Sequence, residues 1–289
     1  MKSIDLQLHQ FLNLLIVFTI GYLTSNIYIS FSYFIIFLLY AYTVDNLYLY
    51  YHYRDKYRIS YSSLSTTIGI VMMMVATKEY ILLVLLSLAI LQKHLISIDS
   101  KHFFNPSNFA LIMGLLLFYD KTHIVLGQLG DDLWFISLLV VMAIVMLMRV
   151  DRWIVPIGFV LSYIFAEYFW VVSYDPVMIM DVVYDRFYSI SFILFVLFML
   201  TDPKTTPSVW YGQALFGSMI AVGGALMDRY YGFRVEHLFE VLFVLTPLFK
   251  IYEPREKKIS KLALLLFVLS LGAIIYIQNQ PPYYFEMDL

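Results

Sequence analysis

Long apolar runs separated by short polar connections cover almost the whole chain. Eleven runs approach the length of about 20 residues that a helix needs to cross a hydrocarbon core of about 30 Å. They lie at residues 8–28, 30–51, 61–77, 79–97, 106–120, 132–149, 153–172, 187–200, 212–228, 236–251 and 261–278. The runs at 106–120 and 187–200 are short, and 61–77 and 79–97 form either two spans or one hairpin. The pattern predicts an all-α integral membrane protein with 10 or 11 transmembrane helices in a single domain, residues 1–289.

Composition supports the membrane assignment. Hydrophobic residues make up 61% of the chain and charged residues 14%, and the mean hydropathy is +0.77. Soluble domains are usually about 45–50% apolar and about 25% charged. The balance of 19 basic and 21 acidic residues gives no sign of a nucleic-acid partner, and the absence of cysteine excludes disulfides and thiolate metal sites. The bilayer is therefore the first predicted partner.

The distribution of basic residues predicts the orientation. With a cytoplasmic N-terminus, fourteen of the 19 lysines and arginines lie on the inner side. The five on the outer side are Lys78, Lys121, Arg186, Arg229 and Arg234. The first run is predicted to be a retained span, because Asp5 and His9 interrupt the region before it and no small-residue cleavage site follows. We expect a multi-pass protein of the inner or plasma membrane with its N-terminus in the cytoplasm.

The order of spans allows an internal repeat. Five spans followed by five more would start from opposite faces of the membrane, as in inverted-repeat proteins. The halves would be residues 1–120 and 132–251, and residues 261–278 would add one C-terminal helix.

The first segment with candidate chemistry begins at Lys101 and reads KHFFNPSNF. Asn105 suits the N-cap of a helix and Pro106 suits its first position. The free N–H groups of such a helix end favour a phosphate or a polarised ring oxygen. The segment is either a capped helix start or part of a ligand site.

The second segment is Thr201-Asp202-Pro203-Lys204-Thr205-Thr206-Pro207, also predicted on the inner side. It combines one acid, one base, three hydroxyl groups and two prolines, more than a plain turn requires. Polar non-helical backbone near a membrane is tolerated against protein or a water-filled cavity. Either a capped loop or a loop that orients a ligand is consistent with it.

The third segment runs from Ser60 to Gly69 and carries six serine and threonine side chains. Small hydroxyl residues allow close helix contacts and interhelical hydrogen bonds, so packing and the lining of a polar cavity are both open.

Ionisable residues near membrane depth are functional candidates because charge is costly in hydrocarbon. They are Asp45, His94, Glu167, Glu236, His237 and Glu240. Glu236 and Glu240 share a helix face. They are expected to be solvated at the interface, with a proton or cation site as the alternative.

These three segments resemble, in the same order, those of the D subunit of Rnf electron-transport complexes and the B subunit of sodium-pumping NADH:quinone reductase. The likeness rests on the hydroxyl-rich span start, on FNPSNF at 104–109 and on FMLTDPKTTP at 198–207. It covers roughly residues 60–255, and FNPSNF together with TDPKTTP is most similar to the divergent UnbU-like branch.

The resemblance implies ten helices in two inverted halves, a flavin held in the membrane part, and electron flow coupled to ion movement with partner redox subunits. It places cofactor binding at Asn105, Pro106, Ser107, Asn108, Thr201, Asp202, Lys204, Thr205 and Thr206. Family members that bind FMN covalently use a threonine in a Gly-Ala-Thr motif, which this sequence lacks. We therefore expect a non-covalent flavin, riboflavin or FMN, or no cofactor, and we assign no catalytic or metal-binding residue.

Three functions are consistent with the sequence, and whether the protein is an enzyme stays open. The first is a redox membrane subunit that holds a flavin. The second is a transporter or channel without redox chemistry on the same scaffold, and the third is a membrane anchor for partner subunits.

Overall fold

The computed structural model describes residues 5–25, 27–54, 58–98, 101–175, 177–252 and 257–281. Most of this part of the chain is helical. The helices are α1 (Leu6–Thr24), α2 (Phe31–Tyr53), α3 (Ser62–Met73), α4 (Glu79–Leu95), α5 (Pro106–Leu117), α6 (Leu133–Val150), α7 (Ile154–Glu167), α8 (Met180–Asp185), α9 (Ile190–Leu194), α10 (Trp210–Tyr231), α11 (Glu236–Tyr252) and α12 (Lys257–Gln278). Each predicted apolar run contains a helix, which confirms the prediction of an all-α fold.

Several helices are long and apolar enough to cross a membrane. Within the described residues these are α1, α2, α6, α7 with the π-helical turn Tyr168–Val172 that continues it, and the Lys261–Gln278 part of α12. Their outward side chains are also apolar: Leu161 on α7 is 67% exposed and Ile275 on α12 is 62% exposed. Such surfaces are unfavourable in water and stable in lipid. The chain is a multi-pass membrane protein.

Two predicted spans are helices completed by strands. The helix predicted over 61–77 ends at Met73, and the one over 106–120 ends at Leu117. Strand β1 (Met74–Ala76) follows the first of them and pairs antiparallel with β4 (Thr122–Ile124). Twelve helical and three extended residues cover about 28 Å, close to the thickness of a hydrocarbon core. The pairing satisfies backbone groups that would otherwise lack partners.

The predicted helix over 187–200 is bent. The residues 180–188 and 190–199 form two helical segments that meet at 74°. Ser189 stands at the bend, where its hydroxyl accepts a hydrogen bond from the Phe192 N–H (3.5 Å) and donates one to the Leu126 carbonyl (2.7 Å). The first of these segments, which includes α8, lies in a region without a predicted span. This segment contains three charged residues, Asp181, Asp185 and Arg186, and therefore lacks the apolar pattern of a membrane span.

Helices α7 and α10 pack most closely, through glycines. A Cβ at Gly158 would lie 2.9 Å from the Ala214 carbonyl oxygen, and one at Gly217 would collide with the Val155 carbonyl oxygen. Small residues allow this backbone approach in membrane proteins. Two other helices each lie between two neighbours in a comparable order: α4 packs between α2 and α5, and α10 packs between α7 and α11.

Two very short strands complete the description. Strand β2 (Ser97–Ile98) pairs with β3 (Lys101–His102) in an antiparallel hairpin that joins α4 to α5. This hairpin delivers His102 and Asn105 to the end of the bundle where α3 and α5 begin.

Candidate functional site

The three segments singled out in the sequence meet around one cavity of about 580 Å³. We call it the motif cavity. Its wall takes Ser62, Ser65, Thr66 and Gly69 from the hydroxyl-rich segment, His102 and Asn105 to Ser107 from the asparagine–proline segment, and Asp202 to Lys204 from the turn after α9. The start of α1 and the ends of α2, α4 and α6 also contribute. Elements predicted on one face of the membrane are therefore at one end of the protein.

Asp202 joins two of these segments. Its Oδ2 atom accepts hydrogen bonds from His102 Nε2 and from Asn105 Nδ2, each at 3.2 Å. Its Oδ1 atom accepts the backbone N–H of Lys204 at 3.0 Å. Three donors around one carboxylate fix the turn after α9 against the start of α5.

The electrostatics of this contact favour an ionised aspartate and a neutral histidine. Burial by itself raises the pKa of Asp202, but the hydrogen bonds from His102 and Lys204 outweigh it and hold the pKa at about 2. Burial lowers the pKa of His102 below its ordinary value, although Asp202 opposes this effect. His102 is thus a neutral donor to a charged acceptor at neutral pH.

Asn105 is the predicted N-cap. Its Oδ1 atom accepts the backbone N–H groups of Ser107 (3.0 Å) and Asn108 (3.2 Å), and Pro106 occupies the first turn of α5. This confirms the predicted capped helix start. Because the cap uses these two N–H groups, they are not free to bind an anion as the sequence suggested.

Ser107 and Asn108 connect α5 to other helices. The Ser107 hydroxyl donates to the Thr66 carbonyl on α3 at 3.3 Å, and Asn108 Nδ2 donates to the Phe239 carbonyl on α11 at 3.2 Å. A Cβ at Gly69 would lie 2.7 Å from the Ser107 hydroxyl oxygen, so this glycine permits the close contact between α3 and α5. Asn108 supports the site from behind the wall that Pro106 and Ser107 form.

The threonines of the Thr-Asp-Pro turn bond the backbone of the turn. Thr201 donates to the Leu197 carbonyl at 2.7 Å, and Thr206 donates to the carbonyls of Leu200 and Asp202, each at 2.8 Å. Thr205 donates to the Asp202 carbonyl at 3.3 Å. These hydroxyl groups hold the turn in shape, while the cavity wall receives Asp202, Pro203 and Lys204.

The hydroxyl-rich segment contributes both to packing and to the cavity. Thr66 and Thr67 donate to carbonyls one turn back in α3, at 3.0 and 2.9 Å. The Ser65 hydroxyl is buried and has no hydrogen-bond partner among the described residues. Ser65 belongs to the wall of the motif cavity, and a buried hydroxyl without a partner is unusual in proteins.

A buried ion-pair cluster borders the cavity. Asp45 on α2 accepts from Lys93 Nζ and from His94 Nε2, each at 2.7 Å, and Lys93 also donates to the Ser62 hydroxyl at 2.9 Å. The sequence pointed to Asp45 and His94 but missed Lys93, which counted only as an inner-side basic residue. Its position directly before His94 in the sequence could have indicated that both basic side chains are near Asp45.

A second buried cluster lies at the other end of the same bundle. We call it the arginine network: Tyr163, Glu167, Arg186, Asp228 and His237. Asp228 is in the last turn of the 22-residue helix α10, whereas the Thr-Asp-Pro turn comes just before α10 begins, so the arginine network and the motif cavity are at opposite ends of this helix. The sequence identified Glu167 and His237, whereas Arg186 was assigned to an outer loop and Asp228 was missed.

Glu236 and Glu240 do not share one environment. Glu240 is 1% exposed, and both of its carboxylate oxygens accept from Gln278 Nε2 on α12, at 3.0 and 2.8 Å. Glu236 lies 3.4 Å from His123 Nδ1. The expectation that Glu240 is solvated at the interface is wrong, because α12 covers it.

Comparisons with known proteins identify no relative of the chain. No protein-family model matches the chain, and no protein in a search of curated sequences matches it.

Proposed function

We propose that this protein is a membrane subunit of an Rnf-like or Nqr-like electron-transport system, with a non-covalent flavin in the motif cavity. The observation that carries the proposal is the meeting of three segments, far apart in the sequence, around a single cavity. These are the segments on which the family resemblance rests. A volume of about 580 Å³ falls within the range of about 300–1,000 Å³ for small-molecule and cofactor sites.

The wall of the cavity suits a ring with a polar edge. Ser65 offers a hydroxyl without a partner, and the Lys93 and Ser62 side chains lie on the same wall. Met72, Met73 and Phe198 provide apolar surface for the face of an isoalloxazine. The protein would orient the ring and tune its reduction potential through these hydrogen bonds.

The remaining predicted residues have supporting roles in this proposal. Asn105 and Asp202 fix the wall, Lys204 and Arg58 carry positive charge at its rim, and Thr201, Thr205 and Thr206 shape the turn. A phosphate of FMN would lie near Lys204 and Arg58, whereas riboflavin would leave them without a partner.

The proposal includes two inverted halves, residues 1–120 and 132–251, with 261–278 as an extra helix. Support comes from matched neighbours: α2, α4 and α5 in the first half correspond to α7, α10 and α11 in the second. Each half buries an acid in the first helix of its set, Asp45 on α2 and Glu167 on α7. The motif cavity would then face the cytoplasm, where partner redox subunits deliver electrons.

Flavin binding is testable by titration. Riboflavin or FMN added to the detergent-purified protein should lose fluorescence in a saturable manner. Ser65→Ala should weaken binding by about 2- to 10-fold, as expected for one hydrogen bond of about 0.5–1.5 kcal/mol.

Ser63→Ala is the matched control. Ser63 is also buried with an unpartnered hydroxyl, but it is not part of the cavity wall. Lys204→Ala should weaken FMN binding and leave riboflavin binding unchanged. Equal effects of the Ser63 and Ser65 variants, or no binding by the wild type, would contradict the proposal.

A transporter or channel without redox chemistry is the second candidate. The arginine network favours it, because buried ionisable groups in a membrane protein often mark ion pathways. Uptake of a solute into proteoliposomes without any redox substrate would support this candidate. A membrane scaffold for partner subunits is the third, and it predicts neither flavin binding nor uptake.

A further inference from the structure

The arginine network has one well-satisfied acid. Asp228 accepts from Arg186 Nη1 at 3.2 Å, from His237 Nδ1 at 2.6 Å and from the backbone N–H of Arg234 at 3.0 Å. Arg186 also donates to the Tyr163 hydroxyl at 2.6 Å. Asp228 is therefore the counter-ion of Arg186, and this pair is electrically neutral.

Glu167 is the second acid, and it has no such partners. It is 0% exposed, and neither of its carboxyl oxygens makes a hydrogen bond within the described part of the chain. The nearest cationic atom is Arg186 Nη1 at 3.9 Å, too far for a hydrogen bond. The His237 Nε2 atom is likewise buried without a partner.

Charge balance in the network requires one more positive charge. With Arg186 and Asp228 both ionised and His237 neutral, an ionised Glu167 would be an uncompensated buried charge, which is strongly unfavourable. One proton restores neutrality. On Glu167 it removes the charge of the unpaired carboxylate, whereas on His237 it would leave that carboxylate buried without a hydrogen-bond donor. A metal cation would not do so as well, because the Arg186 guanidinium nearby repels it.

The first half of the chain provides an internal comparison. Asp45 on α2 is also a fully buried acid, but it has two basic partners at 2.7 Å, Lys93 and His94. That acid is balanced without a proton. Glu167 also ends α7 at a π-helical turn, Tyr168–Val172, a feature that is frequent at functional sites.

We propose that the arginine network is a binding site for one exchangeable proton, carried by the Glu167 carboxyl group. Release would leave the Glu167 carboxylate beside Arg186, with Tyr163, Asp228 and His237 as the other ionisable groups that face it. The site is at the end of the bundle opposite the motif cavity, and its proton binding does not depend on whether that cavity holds a flavin.

Infrared difference spectroscopy of the purified full-length protein tests the proposal. A pH titration should reveal the C=O stretching band of a protonated carboxyl group at neutral pH. The part of the band that belongs to Glu167 should disappear in Glu167→Gln. It should persist in the matched control Asp45→Asn and in Glu240→Gln, which removes the other buried acid whose hydrogen-bond partner is an amide. A Glu167→Gln spectrum identical to that of the wild type, or no band in the wild type, would overturn the proposal.

Thermal unfolding gives an independent readout. Gln is similar in shape to a protonated Glu, so Glu167→Gln should change Tm by less than about 2 °C at neutral pH. Asp45→Asn leaves Lys93 without its carboxylate and should lower Tm by at least about 6 °C. A Glu167→Gln protein that is as unstable as Asp45→Asn, or that does not fold, would show that Glu167 is needed as a charge and would refute the proton site.

Discussion

Replacement of Asp202 should measure directly how strongly the turn after α9 is held against α5. Asp202→Asn keeps the shape of the side chain but removes its charge. The difference between a pKa of about 2 and the ordinary value of 3.8 corresponds to about 2 kcal/mol of stability at neutral pH. The conversion is reasonable because the Asp202 side chain is only 15% exposed.

Asp202→Ala should have a larger effect. It also removes the acceptor for His102 and Asn105 and leaves their donors unpaired near the cavity. We expect a loss of about 3–5 kcal/mol, because unpaired buried donors cost about 1–3 kcal/mol in addition to the charge effect of Asp202→Asn. At about 2–4 °C per kcal/mol, the decrease in Tm should be about 4–8 °C for Asp202→Asn and larger for Asp202→Ala.

Tryptophan fluorescence during heating in detergent is the assay. Asp132→Asn is the matched control, because Asp132 is exposed and its side chain makes no capping hydrogen bond. The stability that Asp202 contributes is present above a pH of about 4 and is lost as the pH falls towards about 2. Unfolding of Asp202→Asn at the same temperature as the control at neutral pH would refute this role of Asp202.

Three further predictions concern other contacts. Gly217→Ala should lower Tm by more than about 4 °C, because the added Cβ atom would collide with the backbone of α7. Gly272→Ala on α12 is the control: the space around Gly272 is open, so this change should leave Tm unchanged or raise it. His102→Gln should reduce the loss of Tm between about pH 7 and 5. The pKa of His102 is lowered in the folded protein. The stability that neutral His102 contributes is therefore fully present above a pH of about 6.5, and it is lost as the pH falls through the pKa of the folded state. Gln278→Ala should expose α12 to faster proteolysis, since Glu240 loses its amide partner; unchanged cleavage would contradict this.

Most of the helical architecture could be predicted, since apolar runs specify spans without reference to the rest of the fold. The ends of α3 and α5 could not, because β1 and β4 stop these helices by pairing with each other across about 50 positions, with Met74 opposite Ile124 and Ala76 opposite Thr122. That choice depends on tertiary contacts. The bend at Ser189 has the same origin: its hydroxyl bonds to Leu126, which is remote in sequence.

The sequence was sufficient to predict which segments form the site, but not which side chains of these segments contact each other. Asn105 and Asp202 stand out by residue type and by neighbouring prolines, but their hydrogen bond joins positions 97 residues apart. Lys93, Arg186 and Asp228 were missed for a related reason. Each looks like an ordinary charge near a span end, and only the packing of the helices makes it a buried partner.

The absorbance spectrum of the detergent-purified protein tests the central claim most directly. We expect a flavin spectrum, or its appearance after incubation with riboflavin or FMN and removal of excess ligand. Acid precipitation should then release the flavin into the supernatant, because no covalent attachment is expected. A protein that is colourless, and that retains no flavin after incubation, would contradict the assignment of the motif cavity as a flavin site.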